Sequence, residues 1–258
     1  FRSVARPDLR EYAPFTFENY EFSSSITGNP NLQMAVIDNA EIRYEFYPDL
    51  AEIFSVGFFY KNFQDPIEST VQLGTGGNTR TYTFANAESA ITLGAEVELR
   101  KNLAFIGRAF RHVNLVANGA YIYSDVELGD NILSQEDDRP LQGQSPYVIN
   151  AGLIYNNPTL GLRVNAEYNV FGPRIFLVGQ VGYEDIYETP RNVLDLSIAK
   201  RVRDFLEIKV GVQDLINQGF YYLQDSNDNG EYERDGSDDV IQTFRPGQRV
   251  TVSFDFTF

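Results

Sequence analysis

The residues best suited to chemistry lie near the C-terminal end of the chain, at positions 225–235. They follow the pattern D-x-N-x-N-G, with oxygen-bearing side chains at alternate positions and a glycine where a sharp turn is needed. Calcium loops of the EF-hand or dockerin type use this arrangement because Ca²⁺ binds several oxygen ligands at once. The pattern predicts a Ca²⁺ site with the ligands Asp225, Asn227, Asn229, Glu231 and Asp235.

The same segment also fits an acidic, solvent-exposed loop that binds no metal. A calcium loop of this type ends on a glutamate, but that position is Gly236 here, and Asp235 comes one place early. No helix is predicted on either side of the segment. Calcium in the 225–239 loop is therefore one of two open alternatives, and we expect no cofactor to be required.

Composition excludes several other kinds of site. The 258 residues contain no cysteine and a single histidine, His112, which excludes disulfides, thiolate sites and multi-histidine metal sites. A lone histidine in a turn is expected to pack there, and we predict that the chain is not an enzyme. The net charge of −15 is opposite to what nucleic-acid binding needs. The glycine-rich stretch at 74–78 lacks the lysine of a phosphate loop and is predicted to be an external loop.

The elements that position these residues are predicted to be β-strands. At the C-terminus, apolar residues alternate strictly with polar ones, and the apolar ones are Val250, Val252, Phe254, Phe256 and Phe258. Successive side chains of a strand point to opposite faces, so this strand has one apolar and one polar face. A two-faced strand that ends on an aromatic residue is typical of outer-membrane β-barrels, whose strands contact lipid on one side and the lumen on the other.

The alternation recurs along the chain and predicts nine strands plus a partial one that ends near Arg6. It is weaker at 115–123, because Val116 and Ile122 lie on the otherwise polar face. The predicted connections are short or medium near 48–51, 101–112, 156–159 and 202–204, and long and polar near 17–32, 64–85, 127–144, 173–190 and 223–240. Short turns on one side of the membrane and long loops on the other indicate an all-β, antiparallel transmembrane β-barrel.

The polar faces indicate how wide this barrel is. They carry many charged residues, namely Arg43, Glu45, Glu96, Glu98, Arg163, Glu167, Glu207 and Lys209. A small barrel packs its interior tightly, whereas a wide one encloses water or a plug, so we expect the chain to be the C-terminal part of a larger barrel. There is no apolar run of about 18 residues that would predict a transmembrane helix. The start lacks the pattern of a secretory leader, so the chain is expected to be mature, truncated or both.

A soluble β-sandwich is the structural alternative, because it is also built from alternating strands. In a sandwich the apolar faces would pack against each other. Two functional alternatives follow from these readings. One is a passive porin with an open lumen, and the other is a soluble, calcium-stabilised β-sandwich with a binding or adhesion function.

Six segments resemble those of a known family: residues 6–11 (RPDLRE), 28–32 (GNPNL), 59–68 (FYKNFQDPIE), 141–147 (LQGQSPY), 168–175 (YNVFGPRI) and 190–195 (PRNVLD). They run in family order across nearly the whole chain, which resembles the barrel of TonB-dependent outer-membrane receptors, especially those of Bacteroidetes. The resemblance implies a 22-stranded barrel around an N-terminal plug. Residues 1–258 would be the C-terminal portion, with about the last ten strands, while the plug, the TonB box and the first half of the barrel would lie outside them.

The resemblance also implies a function and partners. The chain would lie in the outer membrane of a Gram-negative bacterium and supply the wall and outer loops for TonB-coupled uptake of a scarce nutrient. Its partners would be outer-membrane lipid, the plug and the N-terminal half of the barrel, TonB through the plug, and a surface lipoprotein. The lumen charges would pair with the plug or with one another. Aromatic residues at the loop bases would line a binding surface or lie in membrane-interface girdles: Tyr20, Phe22, Phe176, Tyr183, Tyr187, Phe220, Tyr221 and Tyr222.

Overall fold

The computed structural model describes residues 1–20, 22–72, 80–129, 132, 139–180, 183–227 and 229–257. Its strands are β1 (Arg2–Ala5), β2 (Thr16–Asn19), β3 (Ser24–Thr27), β4 (Ala35–Phe46), β5 (Ile53–Gln64), β6 (Ile67–Gln72), β7 (Arg80–Asn86), β8 (Ser89–Asn102), β9 (Val113–Glu127), β10 (Tyr147–Asn157), β11 (Leu162–Phe171), β12 (Arg174–Leu177), β13 (Ile186–Glu188), β14 (Val193–Arg203), β15 (Leu206–Gln213), β16 (Phe220–Gln224), β17 (Asp239–Phe244) and β18 (Arg249–Phe256). One short helix, α1 (Leu9–Tyr12), and two 3₁₀ turns (Leu103–Phe105 and Arg108–Phe110) complete the secondary structure of these residues. Within these ranges, no helix has the length and apolar character needed to cross a bilayer.

Ten of the strands form one antiparallel sheet, which we call the wall sheet. Its order is β1-β4-β5-β8-β9-β10-β11-β14-β15-β18, so each strand pairs with its nearest wall neighbour along the chain. The register places Asn150 of β10 between Asn118 of β9 and Asn169 of β11. The nine predicted strands and the partial one near Arg6 are all present, which confirms the all-β antiparallel prediction. Among the described strands, β1 and β18 form the two edges of this sheet.

The wall sheet has an apolar face that nothing in the described structure covers. Ile42 is 71% exposed, Tyr121 67% and Val250 65%, and Phe58 and Phe254 on the same face are also exposed. In a β-sandwich a second sheet would cover these side chains, so the sandwich alternative is wrong for the wall strands. A continuous apolar surface of this kind suits contact with lipid.

The connections between wall strands differ in length at the two ends of the sheet. At one end they span residues 47–52, 103–112, 158–161 and 204–205. At the other end they span residues 6–34, 65–88, 128–146, 172–192 and 214–248. This arrangement confirms the predicted alternation of short and long connections.

The long connections contain strands of their own, which the alternation of apolar and polar residues does not predict. Two four-stranded sheets, β2-β3-β7-β6 and β12-β13-β16-β17, form what we call the loop layer. A hydrophobic core contains residues of both sheets: Val71, Tyr82, Ile175, Leu177, Val178, Ile186 and Tyr222. The strands are short, and the parallel pair β3–β7 joins Ser24 to Arg80. Pairing between segments so distant in sequence leaves no local periodic signal, which explains why these strands were missed.

Candidate functional site

The polar face of the wall sheet carries a group of ion pairs centred on Arg43. Its guanidinium group lies 2.7 Å from the Glu45 carboxylate and 3.0 Å from that of Glu98. Glu98 is two strands away on β8, and Arg43 reaches it past Gly57, its partner on β5. A Cβ atom at position 57 would lie 3.9 Å from Arg43 Cγ, an ordinary van der Waals contact, so the arginine side chain passes directly over this glycine. Arg100 adds a second pair to Glu98, at 2.9 Å.

The other predicted lumen charges divide into paired and unpaired groups. Arg163 of β11 forms an ion pair with Glu207 of β15, across the intervening β14. Glu96, Glu167 and Lys209 form no ion pair or side-chain hydrogen bond with any other residue that the structure describes. All three side chains are exposed on the polar face, where water or opposite charges from another segment can solvate them. Pairing of charges across the wall is thus confirmed, while pairing with a plug stays a prediction.

The predicted calcium motif forms a tight turn after β16. The Asp225 side chain is buried, and its carboxylate accepts hydrogen bonds from the backbone N–H groups of Gly230 at 2.7 Å and Asn229 at 3.3 Å. The Asn229 side-chain oxygen accepts the N–H of Glu231 at 2.7 Å. Gly230 has a φ of 76°, a conformation that favours glycine. The motif therefore organises the loop backbone at the position where the sequence placed a turn.

Two of the remaining predicted ligands, Asn227 and Asp235, make contacts away from Asp225. Asp235 is exposed and accepts the N–H of Ser237 at 3.0 Å, and hydrogen bonding to Ser237 lowers the pKa of Asp235. Asn227 donates to Asp238 at 3.4 Å, and the buried Asp238, which the pattern did not single out, accepts the N–H of Glu233 at 2.7 Å. Among the described residues, no three histidine, cysteine or acidic side chains form a metal-binding group. Calcium binding stays a prediction.

A buried polar cluster, the rim cluster, joins the long-loop ends of β14 and β15. The Arg191 guanidinium group pairs with the buried Asp214 carboxylate and donates from Nε to the Gln218 carbonyl at 2.9 Å. The guanidinium carbon also lies 4.4 Å from the centre of the Phe220 ring. The Asn192 backbone and side-chain amides both donate to the Gln218 side-chain oxygen, at 2.8 and 3.0 Å. Sequence patterns gave no sign of this cluster, because its members lie on separate segments that only the fold brings together.

Most of the aromatic residues predicted at the loop bases belong to the interior of the loop layer. The rings of Phe22, Phe176 and Tyr222 lie with centroids between 4.5 and 5.2 Å apart. These three residues join the two sheets of the layer and are not girdle residues. Tyr20 and Tyr183 differ, with exposures of 88% and 58%. Of the predicted aromatic set, these two are the best placed to contact a solute.

A buried ion pair connects the loop layer to the segment between β9 and β10. Glu68 of β6 and Arg139 lie 3.0 Å apart, and both side chains are almost fully buried. Burial raises the pKa of Glu68, because the charged carboxylate loses its hydration, and Arg139 offsets this only in part. In the same segment, the Gln142 side chain donates to the Phe176 carbonyl at 2.8 Å. The β9–β10 connection is therefore bound to both sheets of the loop layer.

His112 packs in a turn, as predicted. It follows the second 3₁₀ turn, accepts a hydrogen bond from Arg111 Nε at 3.0 Å, and lies edge-on to the Tyr155 ring. The predicted loop at 74–78 and the terminal Phe258 lie outside the described residues.

The fold and its polar face together define a class of protein. A single antiparallel sheet with an exposed apolar face, a charged opposite face, and short and long connections at its two ends is the wall of an outer-membrane-type β-barrel. Residues 2–215 match the family model described as TonB dependent receptor-like, beta-barrel. The chain belongs to this family. A search of curated proteins gives no match.

Solved structures show the same fold. A mutant of the ferric enterobactin receptor from Pseudomonas aeruginosa, in complex with enterobactin, matches 100% of this chain with a TM-score of 0.62 and 17% identity. The copper transporter OprC matches 100% with a TM-score of 0.64 and 18% identity. The siderophore receptor PirA from Acinetobacter baumannii matches 84% with a TM-score of 0.56 and 16% identity.

The chain spans only about a third of these proteins, covering 37%, 36% and 34% of their lengths. That proportion agrees with a portion of a larger barrel. The assignment to the last ten of 22 strands, with residues 1–258 as the C-terminal portion, stays a prediction. The more specific resemblance to receptors of Bacteroidetes also stays a prediction.

Proposed function

We propose that the chain is part of the wall of an outer-membrane receptor that imports a scarce nutrient by TonB-coupled transport. The observation that carries this proposal is the family match over residues 2–215. The exposed apolar face of the wall sheet supports contact with outer-membrane lipid. The edge strands β1 and β18 then pair with the remaining strands of the barrel, and the polar face surrounds the plug. No covalent reaction is part of this function.

The unpaired charges on the polar face explain how the wall could hold a plug reversibly. Glu96, Glu167 and Lys209 are exposed and have no charged partner among the described residues, and a plug with complementary charges would pair with them. Ion pairs in a wet lumen are weak, roughly 0–1 kcal/mol each, so several of them position the plug without locking it. TonB, acting through the plug, could then displace it with modest force.

The loop layer is the part of the chain that a solute from outside would meet first. Its exposed Tyr20 and Tyr183 are suited to contact with a bulky ligand. The matched structures include receptors for ferric enterobactin and a copper transporter, so metal ions and metal chelates are the first candidate nutrients. A surface lipoprotein that covers the loop layer, and Ca²⁺ that stiffens the 225–239 loop, belong to the same proposal. The support for calcium is the D-x-N-x-N-G pattern and the turn at Gly230.

Uptake measurements in cells test the proposal. The complete receptor is expressed in a Gram-negative strain with and without TonB, and radioactive ferric enterobactin and copper(II) serve as probes. We expect surface binding in both strains and uptake only with TonB and an energised inner membrane. A passive porin would instead give uptake without TonB and a steady conductance in planar bilayers, which would refute the proposal. If neither probe enters, these two nutrients are excluded, and the conductance measurement decides between a closed and an open lumen.

A further inference from the structure

Two neighbouring strands in the middle of the wall sheet, β9 and β10, present no charged side chain on its polar face. The residues there include Val116, Asn118, Ala120, Val148, Asn150 and Gly152. The adjacent strands are different, because β8 carries Glu96, Glu98 and Arg100 on this face and β11 carries Arg163 and Glu167. We call the polar face of β9 and β10 the neutral strip.

The polar groups of the neutral strip are largely satisfied within the wall. The Asn150 side chain donates to Asn118 at 2.8 Å and accepts from Asn169 of β11 at 2.7 Å, which forms a row of amides across three strands. The other side chains of the strip are short or apolar, and a depression of about 300 Å³ lies beside the row. The strip therefore presents few hydrogen-bonding groups that a plug or solute in the lumen must satisfy.

The regions on both sides of the strip carry charges that are unpaired among the described residues. Glu96 on one side, and Glu167 and Lys209 on the other, have no charged partner in the described wall. A plug that pairs with these exposed charges makes its ion pairs with the flanking strands and none with the strip. Electrostatic adhesion is weakest where the wall offers no unpaired charge, so a displaced plug separates first from the neutral strip.

We propose that the neutral strip lines the path by which solute passes between plug and wall, an inference that rests on the transport function proposed above. The path offers amide groups and short apolar side chains to the solute. The nearest unpaired charges on β8 and β11, Glu96 and Glu167, are both negative, and carboxylates at the border of a pore repel anions. The solute class that fits is a hydrogen-bonding molecule that is neutral or positively charged, so of the two probes named above the strip favours copper(II) over the anionic ferric enterobactin.

Cysteine labelling tests the path, because the chain contains no cysteine of its own. Val116→Cys and Val148→Cys place a thiol on the strip and leave the amide row intact. Ser197→Cys and Thr251→Cys are matched controls on the same face of β14 and β18. The complete receptor is labelled in cells with a small cationic thiosulfonate, with TonB energised and de-energised. We expect energisation to accelerate labelling about tenfold on the strip and less than about twofold at the controls. The tenfold figure corresponds to a plug-displaced state whose population rises from a few per cent to a majority.

Each other outcome has a definite meaning. Equal acceleration at all four positions, or acceleration at Ser197→Cys and Thr251→Cys alone, overturns the strip as the path but leaves transport standing. Either of these two results is also what we expect if the plug packs on the apolar side chains of the strip. No energy-dependent change at any of the four positions overturns the strip as the path, and the uptake measurement with and without TonB then decides whether the transport function stands.

A second measurement tests the charge of the solute. An anionic thiosulfonate of similar size is compared with the cationic one at Val148→Cys in the energised state. We expect the strip to favour the cationic reagent several-fold beyond the ratio seen with free cysteine. Replacing both border carboxylates, with Glu96→Gln and Glu167→Gln, should return the ratio to that of free cysteine. A ratio equal to that of free cysteine in the unaltered receptor overturns the assigned solute class.

Discussion

Replacing Leu196 by arginine tests which face of the wall sheet contacts lipid. Leu196 lies on the apolar face of β14, between Leu194 and Ile198. Its neighbour Ser197 lies on the polar face, in a depression that Glu167 and Asp195 line together with Lys209 and Arg249. Leu196→Arg and Ser197→Arg therefore place the same charge at adjacent positions of one strand, on opposite faces of the sheet. If the apolar face contacts acyl chains, only the first substitution puts the charge into hydrocarbon.

The depth of Leu196 sets the expected cost. The apolar face of β14 ends at Lys200, four residues further along the strand. A rise of about 3.3 Å per residue and a tilt of about 40° put Lys200 about 10 Å closer to the membrane surface. The apolar band of such barrels is about 25 Å tall, so Leu196 lies near the midplane if Lys200 lies at the interface. An arginine at this depth costs about 2–4 kcal/mol, whereas Ser197→Arg, in a wet lumen beside two carboxylates, should change stability by less than about 1 kcal/mol.

The assay is folding of the complete receptor from urea into lipid vesicles, followed by the electrophoretic mobility of the folded barrel. The shift in the urea midpoint at constant slope gives the change in folding free energy. Equal costs for the two variants, or a larger cost for Ser197→Arg, would show that the apolar face does not contact lipid. The transport function would lose its structural basis with that result.

Three further predictions concern the loop layer and its base. Burial raises the pKa of Glu68, so the folded layer holds this proton more tightly than the unfolded chain does, and stability increases as pH falls from the raised pKa towards the ordinary carboxyl value. The free energy of local opening of β6, measured by hydrogen exchange, should therefore increase over this interval, and Glu68→Gln should remove the dependence. Arg191→Met should destabilise the rim cluster by about 3–5 kcal/mol, because Asp214 is left buried and unpaired, and adding Asp214→Asn should recover much of the loss in urea titrations. Calcium should protect the 225–239 loop from proteolysis in the complete receptor and should have no effect in Asp225→Ala; equal cleavage with calcium and with chelator would exclude the metal.

The wall strands could be predicted from sequence because the membrane imposes a strict rule on each of them. Lipid on one side and a wet lumen on the other select apolar and polar residues with a period of two, and this signal is contained within each strand. The long-loop ends obey no such rule. In the loop layer, the three residues of β13 are too few to show a period, and β3 depends on β7, more than fifty residues away.

The candidate site was predictable only where its geometry is local. The turn at Gly230 lies where the calcium pattern placed it, because the spacing of ligands and glycine is a property of consecutive residues. The role of Asp238 depends on how the loop folds back on itself, and the Arg43–Glu98 pair depends on the empty space at Gly57. The Arg43–Glu98 pair can be predicted only when the strand register is known, and the Asp238 contact only when the folded path of the loop is known. Pairs of this kind follow from the fold and leave no pattern in the sequence.

Apolar residues that interrupt the polar face of a wall strand indicate what that face contacts. Val116 and Ile122 interrupt the alternation of β9 by placing apolar side chains on the polar face, and both belong to the neutral strip. Water in a lumen does not select apolar residues, so these positions reflect contact with something other than water. The adjoining β9–β10 connection is held to both sheets of the loop layer, through Arg139 and Gln142. The neutral strip thus lies directly below the segment that joins the two sheets, which is the arrangement expected if solute bound by the loop layer moves onto the strip.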